Sequence, residues 1–233
     1  MTKYCIVNGD DFGASHGINR GILEAHQKGI LTSTSLMVNM PGAEEAASLS
    51  REAPLMSIGL HITLTNEEGV PLINFDSFRM CRAELDRQWA RFIDLLERPP
   101  THLDAHHNIH RDMRLYPLFA EMAEEQKVPL REHSQVRYFS EFYGQWDGEM
   151  HLEQISVENL CRMLQTEINE GFTELSCHPG YVDPDYVTSY SLERETELQT
   201  ICNPFIKQKI NELDIKLISY HKISMPLICE EFI

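Results

Sequence analysis

Apolar residues recur along the chain in two alternating rhythms. Short runs, several of them rich in β-branched and aromatic residues, fall at 3–8, 32–38, 57–64, 101–105, 128–131, 172–177 and 215–220, and predict seven strands. Between these runs the spacing of apolar positions lengthens to three and four residues. In 82–97, Leu85, Trp89, Phe92, Ile93 and Leu96 fall on one helical face, which reads as a core stripe. Further helices are predicted at 15–28, closed by Gly29, at 43–52 before Pro54, at 115–127, at 156–170 closed by Gly171, and as a late pair broken by Pro204.

Strand and helix alternate from end to end, with no internal repeat, low-complexity tract or Gly/Ser linker. The expectation is a single α/β domain over 1–233 built on a parallel sheet. Periodicity is compatible with a closed (β/α) barrel and with an open, doubly wound sheet. Two loops are long enough to serve function, 66–81 and 132–154. The second carries Tyr138, Phe139, Phe142, Tyr143 and Trp146, aromatics suited to stacking on a sugar ring or, the simpler reading, to a satellite core.

Composition narrows the partners. With 233 residues, 42% of them apolar, the chain can bury a substantial core. A formal charge of −16 argues against nucleic acid and anionic membranes and favours a neutral or cationic small substrate. No apolar run is long enough to span a bilayer, and no signal-peptide pattern precedes the first strand, so a cytoplasmic protein is expected, with a homodimer admissible. Six cysteines are scattered singly without a C-x-x-C pair, as in a reducing compartment, and are assigned no chemistry.

Polar residues gather where the strands end. Asp10 and Asp11 follow the first, His61 lies in the third, Asp104 and His106 close the fourth, Arg131 the fifth, and His178 follows the sixth. Ligand sites of α/β sheets form at that edge, so these residues are expected to converge on one pocket. Two adjacent carboxylates in one mouth call for a cation or a proton, although Asp10-Asp11-Phe12-Gly13 could also be an ordinary turn before a helix. Four histidines in nine positions, His102, His106, His107 and His110, together with Asp104, strengthen the case for a metal. Strand alternation puts His102, Asp104 and His106 on one face and turns His107 away. His61 by itself could be a hydrogen-bonded core histidine.

Five segments in this order, Asn8-Gly9-Asp10-Asp11-Phe12-Gly13, Thr32-Ser33-Thr34-Ser35, Gly59-Leu60-His61, Thr101-His102-Leu103-Asp104-Ala105-His106-His107 and Cys177-His178-Pro179, resemble the motifs of the YdjC-like carbohydrate deacetylases, chitooligosaccharide deacetylases among them. The resemblance implies a distorted (β/α) barrel of about seven parallel strands, similar to the polysaccharide deacetylases. It further implies removal of an acetyl group from an N-acetylated amino sugar or small oligosaccharide with one divalent metal. Position by position, it makes Asp11, His61 and His106 the metal ligands, Asp10 the general base and His178 the acid. Arg131 would orient Asp10, and Asp104 would fix a ligand imidazole. His102, His107 and His110 are left as structural or substrate-facing. Ala105 and Asn108 depart from the usual family wording, and the chain is short after Leu64 and after Arg131, which bears on substrate size. The resemblance points to Mg2+, whereas the ligand set would equally suit Zn2+ or another transition metal. The competing readings are another metal-dependent hydrolase on this scaffold, such as a phosphoesterase, and a non-catalytic sugar-binding relative.

Overall fold

The computed structural model describes residues 2–223. The chain runs β1 (Lys3–Phe12), α1 (His16–Lys28), β2 (Ser33–Leu36), α2 (Ala43–Ser50), β3 (Ser57–Ile62), α3 (Phe78–Leu96), β4 (Leu103–Ala105), α4 (Tyr116–Gln126), β5 (Val136–Phe139), β6 (Gln145–Trp146), β7 (Glu149–Met150), α5 (Val157–Thr166), β8 (Gly171–Cys177), α6 (Leu192–Ile201), α7 (Pro204–Glu212) and β9 (Ile215–Leu217). Seven strands form one sheet in the order β4-β3-β2-β1-β8-β5, with β9 also paired to β1, and every pairing in it is parallel. β1 is the hub. Its residues 3–5 pair with β9, its residues 8–12 with β2, and its other side with β8. Among the described residues no pairing joins β4 to β5, so the sheet curls into an incomplete barrel.

Alternation along the strands builds two different cores. Cys5 and Val7 of β1, Leu36 of β2, Ile58, Leu60 and Ile62 of β3, Leu103 of β4 and Leu175 of β8 belong to the large apolar cluster that includes buried residues of the helices. Their strand neighbours are polar or small: Asn8 and Asp10, Ser33 and Ser35, Ser57, Gly59 and His61, His102 and Asp104, Glu174 and Ser176. Most of this second set is buried and linked by hydrogen bonds, as where Ser57 Oγ donates to Ser33 Oγ at 2.9 Å. Ile6, Val136, Tyr220 and Ile223 form a separate small apolar cluster. Side-chain caps start three of the helices, with Ser15, Ser156 and Asn203 accepting from Ile18, Asn159 and Phe205.

One predicted strand is wrong. Residues 128–131 contribute a single bridge, Leu130 to Leu103, because Glu132 turns away at φ 66°. The seventh strand is instead Val136–Phe139, inside the segment read as a loop. α3 begins at Phe78, a turn earlier than the stripe from 82 suggested, which shortens the preceding loop. Cys5, Cys81, Cys161, Cys177 and Cys202 are free thiols, and Cys229 lies outside the described residues. No helix among the described residues is long and apolar enough to cross a membrane.

Candidate active site

The end of β1 departs from regular pleating. Successive strand residues normally face opposite ways. Here the register against β2 slips between Gly9 and Phe12, and Asp11 adopts φ 68°. The bulge lets both Asp10 and Asp11 line one cavity, which a flat strand would not allow. Left-handed backbone is sparsely populated outside glycine, although aspartate tolerates it better than most residues. The same hub strand thereby supplies two carboxylates to the mouth.

Asp11, His61 and His106 present atoms within 4.8 Å of one another. Asp11 Oδ1 lies 3.3 Å from His61 Nε2 and 3.1 Å from His106 Nδ1. Neighbouring ligands on one ion with bonds of roughly 2.1 Å stand about 3.0–3.4 Å apart, so these spacings fit a cation. His61 Nδ1 donates to Asp104 Oδ1 at 2.8 Å, which orients the ring with Nε2 toward Asp11. Burial pulls the His61 imidazole down, but Asp104 and Asp11 outweigh it and push it up to about 10. His106 is likewise pulled down by burial and raised overall by Asp11 and Glu67. Burial pushes the Asp11 carboxyl up, yet Arg194 and the two histidines hold it well below the usual carboxylate range. A cluster that binds protons this firmly without a metal is one whose lone pairs favour a positive charge.

Arg131 organises the second layer. Only 1% exposed, it grips Asp10 with both terminal nitrogens, Nη1 to Oδ2 and Nη2 to Oδ1, each at 2.8 Å. The same Nη2 lies 2.8 Å from Asp104 Oδ2 and donates to Glu174 Oε1 at 2.6 Å. Burial raises Asp10 and Asp104, and in both Arg131 wins, leaving the carboxyls lowered. Glu174 stays raised by burial, with Tyr220 Oη donating to it at 2.6 Å. Asn8 Nδ2 completes the hold on Asp10 at 2.8 Å.

His178 stands across the cavity, its Nε2 4.0 Å from Asp10 Oδ2. Burial pushes its imidazole down to about 4 against the pull of Asp10 and Asp11. Its backbone N–H donates to Glu197, which also accepts from Tyr190 Oη. Burial pushes the Glu197 carboxyl up to about 8.

All of the expected residues except Arg131 and Asp104, which lie behind it, line a cavity of about 390 Å3. His107 lines it too, contrary to the alternation argument, because β4 ends at Ala105 and His107 takes φ 55°. His102 and His110 are not among the lining residues. His102 is stacked on Tyr220 at 3.9 Å between centroids, and His110 meets Glu132 at 2.9 Å. The aromatic segment divides: Phe139 and Phe142 are core, Tyr138 and Tyr143 line the cavity. Trp146, 43% exposed, stacks on His151 and is not among the lining residues. Glu67, Tyr190, Arg194 and Glu197 were missed. For those on α6 the only hint is that 192–201 carries too few apolar residues for a core stripe, so part of its buried side had to be polar.

A family model described as YdjC-like protein matches residues 4–212. A carbohydrate deacetylase of Geobacillus stearothermophilus is 36% identical, the alignment covering 95% of this chain and 98% of that protein. A chitooligosaccharide deacetylase of Serratia marcescens is also 36% identical, over 96% of this chain and 100% of its own length. Among solved structures, a putative cellobiose-phosphate cleavage protein of Enterococcus faecalis V583 superposes with a TM-score of 0.79 at 27% identity, covering 97% and 100% of the two chains. A family 4 carbohydrate esterase of Streptomyces lividans shares the fold with a TM-score of 0.59 at 12% identity, over 96% of each chain.

Proposed function

The chain belongs to the YdjC-like family, and from that premise and the geometry of its cavity we propose that it is a metal-dependent deacetylase of small N-acetylated sugars. The observation that carries the reading is the pairing of Asp10 with the Asp11–His61–His106 group on one bulged strand end. A pure binding protein needs no ionised carboxylate, locked by a buried arginine, beside its ligand set. Asp11, His61 and His106 would hold the cation, with Asp104 fixing the His61 tautomer. The cation would supply Lewis acidity, making water a better nucleophile and polarising a carbonyl. One carboxylate and two imidazoles suit zinc or another transition ion, and the family resemblance favours magnesium.

The residues of the chain divide the proton transfers. Asp10, kept ionised and aimed by Arg131, takes a proton from water as the water oxygen bonds to the acetyl carbon. His178 gives a proton to the amide nitrogen as the C–N bond breaks, so that acetate and a free amine leave. Asp10 Oδ2, which holds the proton taken from water, lies 4.0 Å from His178 Nε2 and can pass it to the imidazole during the cycle. Tyr138 and Tyr143 add aromatic surface to the wall, and the cavity lies in the roughly 300–1,000 Å3 range of small-ligand sites. A phosphoester would call for several cations in the site, and Arg194 is the one Lys or Arg among the lining residues. The test is a screen of small N-acetylated sugars against Mg2+, Zn2+, Mn2+ and Co2+, reading released acetate. No acetate from any combination would reject the activity.

A further inference from the structure

Asp10, Asp11 and Glu67 give the cavity an acidic lining, yet hydrolysis of an acetamide builds negative charge there, first on the acetyl oxygen and then on acetate. Arg131 cannot answer that charge, since its guanidinium is committed to Asp10, Asp104 and Glu174 and does not line the cavity. Arg194 can. It comes from α6, is 3% exposed and belongs to the cavity wall. Its Nε donates to the Tyr190 carbonyl at 2.9 Å and its Nη2 to Asp11 Oδ2 at 2.6 Å. Its Nη1 is buried and has no hydrogen-bond partner.

A buried, unsatisfied guanidinium nitrogen is costly, and the two satisfied nitrogens hold the planar group in a fixed orientation. We propose that Arg194 Nη1 is the donor that receives the acetyl oxygen of the substrate, and afterwards a carboxylate oxygen of the product acetate. The arrangement has the character of an oxyanion site: a donor held in a fixed orientation by its two satisfied neighbours, in the wall of the cavity where charge develops. It also ties the acyl group to the metal side of the cavity, because the same guanidinium grips Asp11. The contact strengthens as the carbonyl becomes tetrahedral, so it acts on turnover more than on sugar binding. The inference deepens the deacetylase reading and rests on it for the identity of the anion.

The test uses R194K and R194Q in the full-length protein loaded with metal. R194K keeps a positive charge beside Asp11 and lacks Nη1. Both variants should lose roughly 10²–10³-fold in kcat, the usual loss for one oxyanion donor. In R194K, KM and metal affinity should change less than about threefold, as expected when the lost contact is much weaker to the neutral acetyl oxygen than to a charged one. Acetate binding to the loaded protein, read by calorimetry, should weaken at least tenfold in both, which activity alone would not reveal. A drop in metal affinity that excess metal fully reverses would overturn the proposal, leaving Arg194 as a support for Asp11. Unchanged acetate binding in R194Q would overturn it as well, and this readout stands if R194K fails to fold. Arg194-dependent acetate binding in a wild type that releases no acetate from any sugar would uphold the site and sink the deacetylase reading instead.

Discussion

Arg131→Met removes the cation shared by three buried carboxylates and replaces it with a side chain able to fill much of the space. Glu174 already sits high through burial and accepts a hydrogen bond from Tyr220, so the damage falls on Asp10 and Asp104. Breaking one buried pair costs about 3–5 kcal/mol. Since both aspartates lean on one guanidinium, their losses overlap, and about the same range serves for the two together. Against a total stability of about 5–15 kcal/mol, the variant should remain measurable but greatly weakened. The pH dependence gives the sharper check. In the wild type both carboxyls lie below their unfolded value, so their contribution is present above that value and fades as pH falls through the folded one. In the variant, burial no longer meets Arg131, the folded values rise above the unfolded ones, and protonation relieves the strain. The deficit relative to wild type should therefore be widest near about pH 7.5 and shrink toward about pH 4.5. Urea unfolding of both proteins with a chelator at the two pH values measures it. A deficit under about 1 kcal/mol at the higher pH, or an equal deficit at both, would refute the argument.

Metal binding to the stripped protein near pH 7 should release protons, about one from His61, pushed up to about 10, and a further fraction from the raised His106. Calorimetry in buffers of different ionisation heat would count them, and no release would contradict the ligand assignment. His61→Ala and His106→Ala should each lose most bound metal while keeping the fold; undiminished metal in both would remove the site. Asp10→Asn should retain metal and lose roughly 10²–10⁴-fold in turnover, and His178→Ala should lose similarly on an acetamide but far less on an activated acetyl ester. Equal losses of His178→Ala on both substrates would rule out the acid role. Gly59→Ala places a Cβ 2.4 Å from the His102 ring, which Tyr220 backs at 3.9 Å. It should cost about 1–3 kcal/mol in a denaturant melt, and a change within noise would show that the ring can yield.

Strand-end chemistry was legible because strands are short and their ends carry the site. Asp10, Asp11, His61, Asp104, His106, Arg131 and His178 all follow or close an apolar run, and a parallel α/β sheet brings such ends to one edge. The polar or small alternates Ser35, Gly59, His61, Asp104 and Ser176 are visible in the same rhythm, so a largely polar interior is written into the chain. Residues 128–131 misled because a short apolar run with a proline satisfies the strand pattern as well as a single bridge does. What periodicity could not contain is any contact made by a departure from period. The bulge at Asp11 and the turn at His107 both rest on left-handed backbone at non-glycine residues. Arg194 reaches Asp11 across 183 positions from a helix with little apolar stripe. Local order thus determined most of the elements, their parallel sheet and the polar strand ends. Only the tertiary structure decided that the barrel stays open, that burial lowers the His178 imidazole, and that Arg194 joins the cavity wall, because burial and long-range charge exist only once distant segments meet.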